Sequence, residues 1–260
     1  MSVIDRSRVT VVMSKVAHRR LVSLYGVPPS HPVVIPHGAT IGSWSNDIDL
    51  TNSTGAQNMA ARANPPRLLT WGLLGPGKGI EHVIEALALL KGLQPRVTYT
   101  VAGVTHPNVL LHSGDVYRES LKRLAVDRGI GSDVQFDASY RTVPELVSFV
   151  SSVSAVVLPY DSCDQVTSGV LVDAIAAGRP VIATAFPHAM EMLGSGAGIL
   201  VPHGDPAAMA DAIRQLSNPL TLARLAAEAR RIAPSLSWRA VSQRYVSVAA
   251  STADMQQRVS

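Results

Sequence analysis

Short runs of β-branched and apolar residues alternate along this chain with segments whose apolar positions recur every three or four residues. The runs at 9–13, 33–35, 68–72, 98–102, 134–136, 155–159, 181–183 and 198–201 read as strands. Several are continuously apolar, as strands covered on both faces must be. After Lys78, the positions Ile80, Val83, Ile84, Leu87 and Leu90 share one helical face. Asp205 and Pro206 supply a cap and a first-turn proline for another helix, with Met209, Ala212, Ile213 and Leu216 as its buried stripe. Further helices are expected at 116–128, 144–152, 220–232 and 238–250. The alternation predicts an α/β fold, a three-layer α/β/α parallel sheet wrapped by helices.

The periodicity collapses between Gly42 and Pro66, where polar residues, glycine and a Pro-Pro pair give no sustained pattern. The expected organisation is a strand–helix–strand unit over 1–41, a linker or loop over 42–66, a main domain over 67–235, and a terminal helix and tail over 236–260. The first unit is too short to bury a core alone.

The segment 163–184 carries the most specific chemistry. It reads as a polar loop, a helix with one acidic residue, a glycine stop and a buried strand. Asp173 is the only charge between Val166 and Gly178, and a carboxylate on so apolar a helix needs a partner to offset burial. Ser168 and Gly169 open the helix, so free backbone N–H groups there suit a phosphate. A helix start for phosphate beside an acid for hydroxyls suggests a nucleotide-type ligand; the alternative is an aspartate that simply reaches solvent. The loop 71–79 follows the main domain's first strand and opens its first helix. Its glycines, including Gly75, would let a backbone approach a ligand, and Lys78, one of four lysines in the chain, would add a positive charge. The alternative there is a glycine-rich turn with a solvated lysine. The spacing is neither that of a Walker A loop nor that of the dinucleotide fingerprint.

Composition narrows the class. An apolar fraction of 47% with 16% charged residues supports a packed core, and no apolar run reaches the length of a membrane span. The net charge of +4 brings no basic stripe and no interleaved aromatics, so no nucleic-acid partner is expected. The first eight residues carry charges where a secretory leader needs an apolar core, and the single cysteine, Cys163, fits a reducing, cytoplasmic setting. Histidines in the loops at His37, His106 and His203 follow predicted strands, where α/β sheets collect ligands, yet none is spaced as a metal ligand. No Gly-x-Ser-x-Gly elbow occurs, and no catalytic residue is assigned.

The order of these pieces resembles the group 1 glycosyltransferases, retaining enzymes of the GT-B architecture with two facing Rossmann-like domains. The resemblance runs from the glycine–lysine loop through Val101-Ala102-Gly103, Leu158-Pro159-Tyr160 and the helix ending Ala176-Ala177-Gly178-Arg179-Pro180. Ile35-Pro36-His37-Gly38 is similar to the family's interdomain segment, and Ser237-Trp238 to its terminal crossover. The main domain would then be the C-terminal, donor-binding half, behind a truncated N-terminal part. The resemblance implies a metal-independent, cofactor-free hexosyl transfer from a nucleoside-diphosphate sugar to a glycan, lipid or small-molecule acceptor. Lys78, Gly75 and the amides of Ser168, Gly169 and Val170 would hold the diphosphate; Asp173 and Gln165 would stand for the two glutamates that meet ribose and donor sugar. Three positions depart from the family: Gln165 loses a charge, Asp173 is shorter than glutamate, and Leu73 replaces an arginine. With ordinary domain sizes of roughly 100–200 residues, most of an acceptor domain lies outside this sequence. The implied partners therefore include a second chain or copy that completes it, and peripheral contact with a membrane. The alternatives are a nucleotide-sugar-binding fragment or subunit of a split enzyme, and another GT-B enzyme such as a sugar-nucleotide epimerase.

Overall fold

The computed structural model describes residues 3–42 and 65–257, so most of the expected linker at 42–66 lies outside the described residues. After a four-residue helix, α1 (Val3–Arg6), come β1 (Thr10–Val12), α2 (Lys15–Tyr25) and β2 (Pro32–Val34). The two strands pair in parallel, Val11 opposite Val33. Ser14 caps α2 by accepting from the Ala17 amide at 3.0 Å, and Gly26 closes it in the left-handed region.

The main body contains β3 (Arg67–Trp71), α3 (Ile80–Leu89), β4 (Thr98–Ala102), α4 (Pro107–Ser113), α5 (Val116–Asp127), β5 (Val134–Asp137), α6 (Val143–Ser151) and β6 (Ala155–Leu158). It continues through α7 (Gly169–Ala176), β7 (Val181–Thr184), α8 (Pro187–Leu193), β8 (Gly198–Val201), α9 (Pro206–Leu216) and α10 (Pro219–Ile232). A 3₁₀ turn, Ala233–Leu236, leads into the last helix, α11 (Trp238–Gln257). All eight expected strands are present. The six strands of the main body are parallel in the order β5-β4-β3-β6-β7-β8. Residues of one strand alternate between two cores. Leu68, Tyr99, Val101, Val157 and Ile182 face α3 and α9, whereas Leu69, Val156, Leu158 and Ala183 face α7 and α8. Helices on both faces make the three-layer α/β/α fold, and the apolar strands follow from that double cover.

The direction of strand addition reverses between β3 and β6, whose ladder pairs Leu68 with Ala155 and Leu69 with Val156. Open α/β sheets take ligands at such a point. Both expected stripes are buried: Ile80, Val83, Ile84, Leu87 and Leu90 on and just after α3, and Met209, Ala212, Ile213 and Leu216 on α9. Three short helices escape periodicity. α1 has four residues, and α4 and α8 have seven each and open with a first-turn proline, too short to show a helical repeat. The start of α11 returns to the segment after β2: Ala39 donates to the Leu236 carbonyl at 2.8 Å, and Gly38 lies so close to Trp238 that a Cβ there would stand 2.4 Å from the indole. Among the described residues no helix is long and apolar enough to cross a membrane.

Candidate functional site

A glycine-rich loop packs on the carboxyl ends of β3, β4 and β6. Gly79 starts α3 at φ 64°, and a Cβ there would stand 1.8 Å from the Pro159 carbonyl oxygen at the end of β6. Gly103, after β4, has φ 136° and would place a Cβ 2.0 Å from the Gly72 oxygen. These contacts lay the 72–79 loop flat across the ends of β3, β4 and β6. Gly75 is buried against Val109 of α4, and its carbonyl accepts from the Lys78 amide at 3.2 Å. Lys78 is half-buried with its ammonium 4.6 Å from the centre of the Tyr160 ring, which stacks on Phe186. Burial lowers the lysine pKa and pushes the Tyr160 phenol up to about 12.

α7 begins beside this loop. Ser168 is its cap, and its hydroxyl oxygen accepts from the Leu171 amide at 3.2 Å. The Ser168 amide donates to Nδ1 of His188 at 2.9 Å. It is therefore committed within the protein, and the N–H groups outside the helical ladder at this end are those of Gly169 and Val170. Val170 approaches the backbone of Gly72, and Gly169 approaches the ring of His37. The Gln165 side chain donates to the Thr167 carbonyl at 3.2 Å, and the Gln165 backbone carbonyl accepts from the His188 amide at 3.2 Å.

Asp173 does not simply reach solvent. Its Oδ1 accepts from the amides of Thr40 and Ile41 at 2.6 and 3.2 Å, tying the segment after β2 to α7. Burial raises its pKa, opposed by those two N–H donors and by His37. Its Oδ2 has no hydrogen bond among the described residues.

Two recesses flank the glycine loop. The first, about 250 Å³, lies at the ends of β3, β4 and β5 and is lined by Trp71, Gly72, Gly103, Tyr140, Arg141 and Leu146. Arg141 lies over the Phe149 ring and pairs with Asp137. The Ser139 amide and hydroxyl, with Arg141, hold the Asp137 carboxyl down at about 2. The second recess, about 320 Å³, lies between the loop and α4, lined by Leu73, Gly75, Lys78, His106, Asn108 and Val109. Among the described residues Glu81, His82 and Asp161 form one group of potential metal ligands. Each has a protein partner: His82 meets Asp161 at 3.2 Å, and Glu81 accepts from the Tyr117 hydroxyl at 2.7 Å.

The structure thus brings Gly75 and Lys78 into one loop, sets Gly169 and Val170 across from Gly72, and hangs Gln165 and Asp173 on the same loop and helix. Sequence reasoning missed His188 and the aromatic recess at Trp71 and Tyr140. Their only signal was position just beyond a strand end, which many turn residues share.

Residues 56–232 match the family model described as "Glycosyl transferases group 1". The D-inositol 3-phosphate glycosyltransferase of Thermomonospora curvata is 30% identical over 238 residues, covering 88% of this chain and 54% of that protein. The enzyme of the same name from Kineococcus radiotolerans is 26% identical, over 93% of this chain and 56% of its own. The chain spans about half the length of these curated relatives. Anabaena HepE, solved with UDP-glucose, superposes with a TM-score of 0.72 at 22% identity, covering 94% of this chain and 64% of that one. A Rickettsia africae glycosyltransferase superposes at 0.76 with 16% identity, over 95% and 64% of the two chains, and shares the fold. The chain belongs to the group 1 glycosyltransferase family.

Proposed function

We propose that this chain is the donor-binding half of a retaining, metal-independent glycosyltransferase that moves a hexose from a nucleoside-diphosphate sugar to a hydroxyl of a glycan, lipid or small alcohol. The observation that carries this reading is that the Lys78 loop and the start of α7 meet at the sheet's switch point. Val170 lies beside Gly72 of that loop and the Lys78 ammonium over the Tyr160 ring, with the Gly169 and Val170 amides outside the helical ladder. The recess at Trp71 and Tyr140 adjoins them through Gly72 and would take the nucleobase. In this arrangement Oδ2 of Asp173 meets the ribose and Gln165 the donor sugar. The HepE structures containing UDP and UDP-glucose support a nucleotide-sugar ligand for this fold.

In the transfer, the bond from the anomeric carbon to the diphosphate oxygen breaks and a bond to the acceptor oxygen forms, the acceptor's proton leaving with solvent or diphosphate. Lys78 and the two amides meet the charge growing on the diphosphate, so this reading needs neither a metal nor a resident cofactor. The half-buried ammonium acts in a medium less screening than bulk water, where such contacts are stronger.

A second reading is favoured by the thinly covered β1–α2–β2 unit: a nucleotide-sugar-binding subunit that turns over only with a partner chain. Release of nucleoside diphosphate from UDP-glucose or GDP-mannose separates the two. Release that rises with added acceptor supports the transferase; donor binding with no release under any acceptor supports the subunit. Absence of donor binding rejects both.

A further inference from the structure

His188, the second residue of α8, is 1% exposed and plays no part in the donor contacts above. Its Nδ1 accepts from the Ser168 amide at 2.9 Å, and its own amide donates to the Gln165 carbonyl at 3.2 Å. One residue therefore grips both ends of the 165–168 turn. With Nδ1 accepting, the neutral ring carries its proton on Nε2. The titratable groups facing it are Glu191 on α8 and His37 on the segment after β2; burial is the main influence and favours the neutral ring. Ser168 is itself buried, so without His188 its N–H would be an orphaned buried donor, a state folded chains avoid by moving. Any such movement displaces the cap that starts α7.

We infer that His188 is a positioning residue for donor binding: its neutral imidazole holds the Ser168 amide, and so fixes the turn from which Gly169 and Val170 present their amides to the diphosphate. This rests on the donor-site reading. The geometry is one-directional, because a protonated imidazole has a donor at Nδ1 and would face the Ser168 N–H with a second hydrogen. Donor affinity should therefore fall in acid through this contact as well as through titration of the ligand. An asparagine can supply an oxygen near the Nδ1 position and has no proton to gain in this range; a leucine supplies none.

The test is calorimetric titration of the full chain with UDP at pH 7.5 and 5.5, for wild type, His188→Asn and His188→Leu, alongside thermal melts. At pH 7.5 His188→Leu should bind about tenfold more weakly and His188→Asn within about twofold of wild type, magnitudes typical of one lost buried hydrogen bond. At pH 5.5 wild type should lose roughly fivefold more affinity than His188→Asn, the ligand's own titration being common to both. Equal binding by folded His188→Leu overturns the inference, as does an acid loss in His188→Asn equal to that of wild type. If His188→Leu does not fold, the asparagine comparison decides alone. Wild type that fails to bind UDP at pH 7.5 rejects the donor-site reading and this inference with it.

Discussion

The main sheet and the β1–α2–β2 unit are built from the same parallel strand–helix–strand motif, yet they are held by different forces. β6 and β7 are buried along their whole length, and helices cover both faces of their sheet. β1 is half-exposed throughout, and α2 has no fully buried residue. Beyond Ala39 and Ile41, which pack into the main core, what fixes the smaller unit is polar and directional. The Glu191 carboxylate of α8 accepts from the Lys15 and Val16 amides at the start of α2, at 3.0 and 3.1 Å. Arg20 pairs with Asp164 at 2.9 Å, and Asp173 holds Thr40 and Ile41. Every one of these anchors lies on α7, α8 or the loop before them, the elements that frame the proposed donor site. A parallel motif owes its stability to cover on both faces; where cover is thin, hydrogen bonds to neighbouring elements substitute, and they couple the unit to the site.

The largest effect that tests this contrast is steric. Gly79→Ala meets the Pro159 carbonyl in a left-handed backbone and should cost at least about 3 kcal/mol in urea denaturation, by combined clash and strain. Gly26→Ala, also left-handed but with nothing within 4 Å, should cost only about 1–2 kcal/mol. Similar losses at both glycines would erase the distinction. Next, Glu191→Ala should release the smaller unit alone. The expected loss of about 1–2 kcal/mol appears as roughly tenfold faster amide exchange across α2, with β6 and β7 unchanged. Faster exchange in β6 would show that the two regions open together.

The smallest effect concerns Asp173. Burial raises its pKa, so the folded chain keeps this proton to higher pH than the unfolded chain does. Stability from this group is therefore full in acid and falls as pH rises from the ordinary carboxylate value through the raised one. Asp173→Asn retains an acceptor for Thr40 and Ile41 without the charge. Its stability at pH 7 should lie within about 1 kcal/mol of wild type or above it, and this part of the pH slope should vanish on urea titration between pH 4 and 7. An unchanged slope would place the titration elsewhere.

The strands were legible because burial on both faces writes a continuous apolar run, and the helices after Lys78 and Asp205 because their stripes are long enough to show a period. α4 and α8 were not, being two turns long and led by proline. At the site, Lys78 and Asp173 stood out by type alone, as a rare lysine among glycines and a lone acid on an apolar helix. Their relations did not. The amides that donate to Asp173 lie 133 and 132 positions away, and His188 stands 20 positions from the amide it holds. Local pattern carries no information on contacts so distant in sequence. The Ser168 amide, expected among the phosphate donors, is taken by His188 for that reason.

On the proposed reading a diphosphate binds between Lys78 and the start of α7. Calorimetric titration of the chain and of Lys78→Ala with UDP, at 50 and 300 mM salt, probes that contact. Wild type should bind, and the variant should be at least about tenfold weaker at low salt with an affinity that depends less on salt, because one charge contact to phosphate is gone. Equal affinities and equal salt slopes for the two proteins would exclude a diphosphate contact at Lys78.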